Sequence, residues 1–328
     1  MGKILLNPGP TNTSFFTKIK QWFGTDVCHR TEEFASDFLK LQDGLLQFYG
    51  DNSRAIAIMG GSGTTALEAM ISSVVPDDCL FVDAGSYGKR AIDIARTYKI
   101  KTKTIKSKSA DDLLQDKYPK YVYFVENETS TGEKYSLEQM CRVYPNSKFF
   151  IDATSAFGAT NYEPYHDKIA AISFCSNKCL QSTPGLGIVI WNPELETHGR
   201  SFYGDLTKYG KEKMPFTVPV QSASALLQVI SKQKNNEHLF NARMEKLIYT
   251  LRQFGIQCIS RNPSNSVVAF VHPTKTYEEL RQFLLKKNIV IYSGVAGINN
   301  SFRISTMSYK FDKTFSKVMR ALNDSCIH

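Results

Sequence analysis

Two side chains, Lys178 and Asp152, carry most of the chemistry that can be read from this chain. Lys178 follows an apolar run, Ile169 to Phe174, and precedes a Pro184-Gly185 turn and a second apolar run, Leu186 to Trp191. A lysine set between two buried strands is costly unless its amine is neutralised or bonded. Asp152 ends another apolar run, Phe149-Phe150-Ile151. Taken alone, Asp152 reads better as a helix cap or loop carboxylate. Paired with Lys178 it reads differently. A buried amine and a buried carboxylate at adjacent strand ends suit pyridoxal phosphate (PLP): the amine forms a Schiff base and the carboxylate keeps the pyridine nitrogen protonated.

Four further stretches could serve the same chemistry, and each has a plainer alternative. Gly60-Gly61-Ser62-Gly63-Thr64-Thr65 lies between a strand and a helix, where backbone N–H groups and hydroxyls can cradle a phosphate. It lacks the Gly-Lys-Ser/Thr of a P-loop and a usable G-x-G-x-x-G register, and it also reads as a capped βα turn. Tyr87, in Gly85-Ser86-Tyr87-Gly88, can stack on a heteroaromatic ring or pack as a core tyrosine. Glu128-Thr129-Ser130-Thr131-Gly132 can place a hydroxyl beside a cofactor ring, or be an ordinary Ser/Thr-rich loop. Arg303 offers a fork that fits a carboxylate or phosphonate, or a salt bridge between domains.

These residues need a scaffold, and the pattern supplies an α/β one. Apolar runs without alternation at Ala55–Met59, Cys79–Val82, Tyr121–Val125, Phe149–Ile151, Ala170–Phe174 and Gly187–Ile190 read as strands. The spacing predicts helices over Thr64–Val75 and Tyr87–Tyr98 between them. Such alternation argues for a mostly parallel sheet covered on both faces, with ligands at the carboxyl ends of its strands. Beyond Pro219 the pattern changes: helices at Val220–Lys232 and Asn235–Phe254 lead into a smaller α+β part. There Val267–Val271 and Phe302–Ser305 read as strands, and Tyr277–Lys286 and Asp312–Leu322 as helices.

With 328 residues, 42% apolar and 22% charged, the chain has the composition of a soluble globular protein. Its apolar stretches fall well short of the roughly 18–20 residues of a membrane span. The start, Met1 to Pro10, is a poor match to a secretion signal or a myristoylation site, so a cytoplasmic protein is expected. The seven cysteines include no C-x-x-C, and no histidine cluster accompanies Cys175 and Cys179. Reduced, mostly buried thiols are therefore expected, with no metal. The net charge of +9 has one dense source, Lys99, Lys101, Lys103, Lys106 and Lys108, which reads as a guarded edge strand. An anionic cofactor and substrate account for the charge without nucleic acid. A nucleotide- or nucleic-acid-binding protein, built on the Gly-rich turn, is the alternative outside enzymes.

Taken in order, these segments resemble the class V aminotransferases of PLP fold type I, and within them the 2-aminoethylphosphonate–pyruvate transaminases. The matching pieces include Leu6-Asn7-Pro8-Gly9-Pro10-Thr11, Gly61-Ser62-Gly63-Thr64, Ser86-Tyr87-Gly88, Thr131-Gly132, Ile151-Asp152-Ala153, Ser176-Asn177-Lys178-Cys179-Leu180-Gln181, Phe216-Thr217-Val218-Pro219 and Phe302-Arg303-Ile304. His29-Arg30-Thr31-Glu32-Glu33-Phe34 resembles a segment found more broadly in class V, alanine–glyoxylate transaminases included.

The resemblance implies a large PLP-binding domain over residues 12–235, and a small domain made of 1–11 and 236–328. It implies Lys178 as Schiff-base lysine and proton-transfer base, with Asp152 on the pyridine nitrogen. Ser62, Gly63 and Thr64 would sit on the phosphate, Tyr87 on the ring face, Thr131 by the ring hydroxyl and Thr217 at the partner subunit's phosphate site. Arg303 and Arg30 would meet the substrate. It further implies a homodimer with shared sites, working on a small amine and an oxoacid. The expected reaction is between 2-aminoethylphosphonate and pyruvate, or its reverse, with alanine– or serine–glyoxylate transamination as the alternative. Ser305-Thr306-Met307-Ser308 and Thr154 depart from the usual pattern, and both lie where substrate would be read.

Overall fold

The structure is a computed structural model, and it describes residues 2–23, 27–113, 119–232 and 236–327. Its described strands are β1 (Ile4–Leu5), β2 (Ala55–Gly61), β3 (Leu80–Asp83), β4 (Lys103–Lys106), β5 (Tyr121–Val125), β6 (Asn127–Glu128), β7 (Glu133–Lys134), β8 (Lys148–Asp152), β9 (Ile169–Cys175), β10 (Gly185–Trp191), β11 (Gln257–Cys258), β12 (Val267–Val271), β13 (Ile289–Val290), β14 (Tyr292–Ser293) and β15 (Ser301–Ser305). The α-helices are α1 (Phe15–Trp22), α2 (Glu32–Tyr49), α3 (Gly63–Val74), α4 (Ser86–Thr97), α5 (Leu137–Val143), α6 (Leu206–Lys211), α7 (Val220–Ile230), α8 (Glu237–Gln253), α9 (Tyr277–Lys286) and α10 (Phe311–Ile327). The predicted helix start at Asn235 lies outside the described residues, as does the expected boundary there.

Seven strands form one sheet in the order β2-β10-β9-β8-β5-β3-β4. All neighbours run parallel except β10, which is antiparallel to both β2 and β9. The sequence pattern does not reveal this reversal. Its physical reason is the short loop 176–184: a parallel return needs a crossover of about a dozen residues or more. Because β10 is flanked by two strands running the other way, the carboxyl ends of β2, β9, β8, β5 and β3 all reach the same edge of the sheet. The lysine-rich strand β4 is the exposed outer edge.

Alternation within each strand divides its side chains between two cores. Ile56 and Ile58 face a cluster with α2, α5 and α7, whereas Ala57 and Met59 face one with α3, α4 and α6. Helices α1 and α2 are absent from the sequence reading. The signals for α2 are nevertheless present. Thr31 accepts from the Phe34 N–H at 3.3 Å as N-cap, Glu32 and Glu33 occupy the first turn, and Phe34, Phe38, Leu41 and Leu45 form one buried stripe. Gly50, at φ 93°, ends the helix by donating to Leu46 O at 2.8 Å.

A four-stranded antiparallel sheet, β11-β12-β15-β14, packs with α8, α9 and α10 around Leu247, Phe270, Leu280, Phe302 and Leu322. The N-terminal arm joins this part: β1 pairs in parallel with β13, Ile4 opposite Ile289. No helix among the described residues is long and apolar enough to cross a membrane.

Candidate active site

The catalytic candidates gather at the common edge of the large sheet. Lys178 lies in the loop between β9 and β10, and Asp152 is the last residue of β8, next to β9. Lys178 is half-buried rather than buried. Its Nζ donates to Pro8 O at 2.5 Å, so the N-terminal arm reaches from its pairing with β13 to the lysine. Gly9, at φ 135°, permits that approach: a Cβ there would stand 2.8 Å from Lys178 Cδ and Cε.

Asp152 is 3% exposed and accepts from the Thr154 N–H at 2.9 Å. Burial raises its carboxyl above the usual aspartate range, opposed by the Thr154 hydrogen bonds and the charges of Lys178 and Arg90. It takes part in no ion pair among the described residues.

Between β2 and α3, Ser62 caps the helix. Its Oγ accepts from the Thr64 N–H at 3.2 Å, and its own N–H donates to Thr65 Oγ1 at 3.1 Å. Gly61, at φ 150°, leaves no room for a side chain, because a Cβ would lie 2.2 Å from Thr65 Oγ1. The segment after β5 reaches α4 through Glu128, the last residue of β6 and a buried carboxylate the sequence reading passed over. It accepts from the Tyr87 N–H at 3.2 Å, the Gly88 N–H at 3.1 Å and the Ser130 N–H at 3.2 Å. A carboxylate at a helix start is favoured by the macrodipole, and here it fixes where Tyr87 emerges. Burial still raises its carboxyl, against those hydrogen bonds. Thr131 turns inward on its own loop, donating from Oγ1 to Glu128 O at 3.1 Å.

Arg303, on β15, is 7% exposed. It donates to Ser293 O and Thr129 O, each at 2.5 Å, and lies over the Tyr292 ring, 4.9 Å from its centroid. The second of these bonds brings the small sheet against the loop that carries Glu128. Arg303 belongs to no ion pair among the described residues. Arg30 and Thr217 are exposed and form a separate group around His29. Thr217 Oγ1 lies 3.3 Å, and Arg30 Nε 3.4 Å, from His29 Nε2. None of their hydrogen bonds ties them to Lys178, Asp152 or Arg303. Arg90 was also passed over: it is near Thr64 and Tyr87, and its spacing of three from Tyr87 on one helix was the available signal.

No family model matches the chain. It is 26% identical to 2-aminoethylphosphonate–pyruvate transaminase 1 of Paraburkholderia xenovorans, over 98% of this chain and 91% of that one. It is equally similar to the 2-aminoethylphosphonate–pyruvate transaminase of Phocaeicola vulgatus, at 26% over 97% and 98%. Among solved structures, a subgroup IV aspartate aminotransferase from Thermus thermophilus superposes with a TM-score of 0.89 at 21% identity, covering 98% of each chain. An alanine–glyoxylate aminotransferase from Nostoc superposes with 0.84 at 20%, covering 100% and 96%.

The chain has the fold of the PLP-dependent aminotransferases. Its sequence resembles the 2-aminoethylphosphonate–pyruvate transaminases from end to end. The residues of this aminotransferase-fold site also suit the cofactor on physical grounds. A buried carboxylate in no ion pair among the described residues is a match for a protonated ring nitrogen. Among the described residues no cluster of histidines, cysteines and carboxylates could hold a metal.

Proposed function

We propose that the protein is a PLP-dependent aminotransferase that moves an amino group between 2-aminoethylphosphonate and a small oxoacid such as pyruvate, in either direction. The observation that carries this reading is one sheet edge bearing a half-buried lysine, a buried unpaired carboxylate and a capped helix start, faced by the buried guanidinium of Arg303. Bound PLP supplies an electron-accepting ring that stabilises the charge left when a substrate carbon loses its proton. The chain does the rest. Lys178 Nζ holds the cofactor and takes the proton from the amino-bearing carbon of the substrate. Asp152, oriented by the Thr154 N–H, keeps the ring nitrogen protonated. Ser62, Gly63 and Thr64 hold the phosphate, and Tyr87 covers the ring on a helix start set by Glu128. Thr131 sits by the ring hydroxyl, and Arg303 offers its fork to the acidic tail of the substrate.

We further propose a cytoplasmic homodimer in which His29, Arg30 and Thr217 complete the partner's site. In the single chain, Phe15, Phe16, Trp22 and Phe23 are 71%, 66%, 78% and 80% exposed, an apolar surface that association would cover. Seven unpaired thiols fit a reducing compartment. The pairing of β1 with β13 supports the division into a large part, 12–235, and a small part, 1–11 with 236–328.

The test is a half-reaction. 2-Aminoethylphosphonate should bleach the visible band of the lysine-bound cofactor. Bleaching by alanine or serine alone would move the assignment to glyoxylate-type transamination, and a protein that stays colourless with PLP would refute both.

A further inference from the structure

The phosphate cradle assembled above has little charge of its own. The phosphate of PLP carries about −1.5 to −2 at neutral pH, while a helix start offers roughly +0.5. Its neutral donors are also partly engaged, since Ser62 and Thr65 satisfy each other in a capping box. A cation would supply the missing charge, and one stands beside the cradle. Arg90, in the first part of α4, places NH1 3.4 Å from Thr64 Oγ1. Its guanidinium carbon lies 4.9 Å from the centroid of the Tyr87 ring. Its acidic neighbour on the helix, Asp93, is taken by Arg96 at 3.2 Å, and Arg90 is in no ion pair among the described residues. Its positive charge also bears on Asp152. The guanidinium is thus held by a hydroxyl and a ring, with its charge uncompensated.

We propose that Arg90 is the charged member of the phosphate cradle, a cofactor-binding residue that makes the site select PLP over unphosphorylated pyridoxal. The fork of a guanidinium matches two phosphate oxygens, and its seat on Tyr87 ties the ring shelf to the phosphate site. This rests on the proposed PLP chemistry. The experiment uses the full-length, cofactor-free protein and measures equilibrium binding of PLP and of pyridoxal, which shares the ring and aldehyde but lacks the phosphate.

Arg90→Gln should weaken PLP binding about 10- to 100-fold and change pyridoxal binding by less than about twofold. Arg90→Lys should recover part of the loss, and the salt dependence of PLP binding should become shallower in Arg90→Gln. Arg90 is exposed, so the melting temperature serves as a control and should not move. Equal weakening of both ligands would show that Arg90 only supports Tyr87, and unchanged PLP binding would show no role; either overturns the proposal. A wild-type protein that binds neither ligand would instead refute the PLP reading on which it rests.

Discussion

Replacing Asp152 with asparagine should separate what this carboxylate does for the cofactor from what it costs the fold. The side chain is 3% exposed and its carboxyl is raised by burial. It therefore binds its proton more tightly in the folded chain than in the unfolded one. The stability this contributes is full below the ordinary aspartate value and is lost as pH rises through the raised folded value. Any charge this carboxylate carries in the cofactor-free protein is buried, and Lys178 and Arg90 bear on it from the positive side. Asparagine keeps the shape and can still accept from the Thr154 N–H. The cofactor-free variant should thus melt no lower than wild type at neutral pH, and its stability should fall less between acid and neutral pH. With cofactor the sign reverses. A hydrogen bond to a charged partner contributes about 1.5–3 kcal/mol, against about 1 for a neutral one. PLP binding should therefore weaken by at least severalfold, and the half-reaction should slow further because the ring nitrogen is no longer held protonated. Thermal melts across pH, with and without PLP, together with stopped-flow half-reactions, measure all of this. A variant that is destabilised without cofactor and unchanged in PLP affinity and half-reaction would refute the assignment of Asp152 as the ring-nitrogen partner.

Lys178→Ala should abolish borohydride-trappable cofactor and slow proton transfer about 10²- to 10⁴-fold or more, read by mass spectrometry and single-turnover kinetics. Arg303→Lys keeps a charge but loses the fork, and should lower kcat/KM for an acidic-tailed amine by about 10- to 100-fold while sparing an amine without that tail. Phe38→Ala, in the buried stripe of α2, should cost about 3–5 kcal/mol in denaturant unfolding. His272 is fully buried, with its ring pushed down to about 4 by burial and Lys275. Its folded value is depressed, so stability present above about 6.5 should fall by up to roughly 1 kcal/mol per pH unit on acidification, and His272→Gln should flatten that acid arm.

Much of the large sheet was legible because fully buried strands are short, apolar and bounded by turns. Tyr121–Val125 and Val267–Val271 have the same bounds in sequence and structure. The first helices were not, although Thr31, Glu32 and Glu33 announce α2. Its stripe follows the poorly patterned stretch Gly24 to Thr31, and nothing local says which sheet face it covers. The direction of β10 was not legible either, since strand direction is fixed by the partners and by loop length, not by residue type. At the site, Lys178 and Asp152 were visible because a charged residue among apolar ones is costly and needs an explanation. Glu128 and Arg90 were hidden: a glutamate in a Ser/Thr loop and an arginine on an exposed helix face both have ordinary explanations until their partners are seen.

By itself the sequence determined that a lysine and a carboxylate stand at strand ends of an α/β sheet, since apolar periodicity and the cost of buried charge are local properties. Only the tertiary structure decided that the carboxyl ends of β2, β9, β8, β5 and β3 share one edge, that Pro8 meets Lys178, and that Arg303 reaches the loop of Glu128. Those contacts join residues far apart in the chain through the reversed strand β10, the pairing of β1 with β13 and the hydrogen bond from Arg303 on β15 to Thr129. No window of sequence contains both halves of such a contact.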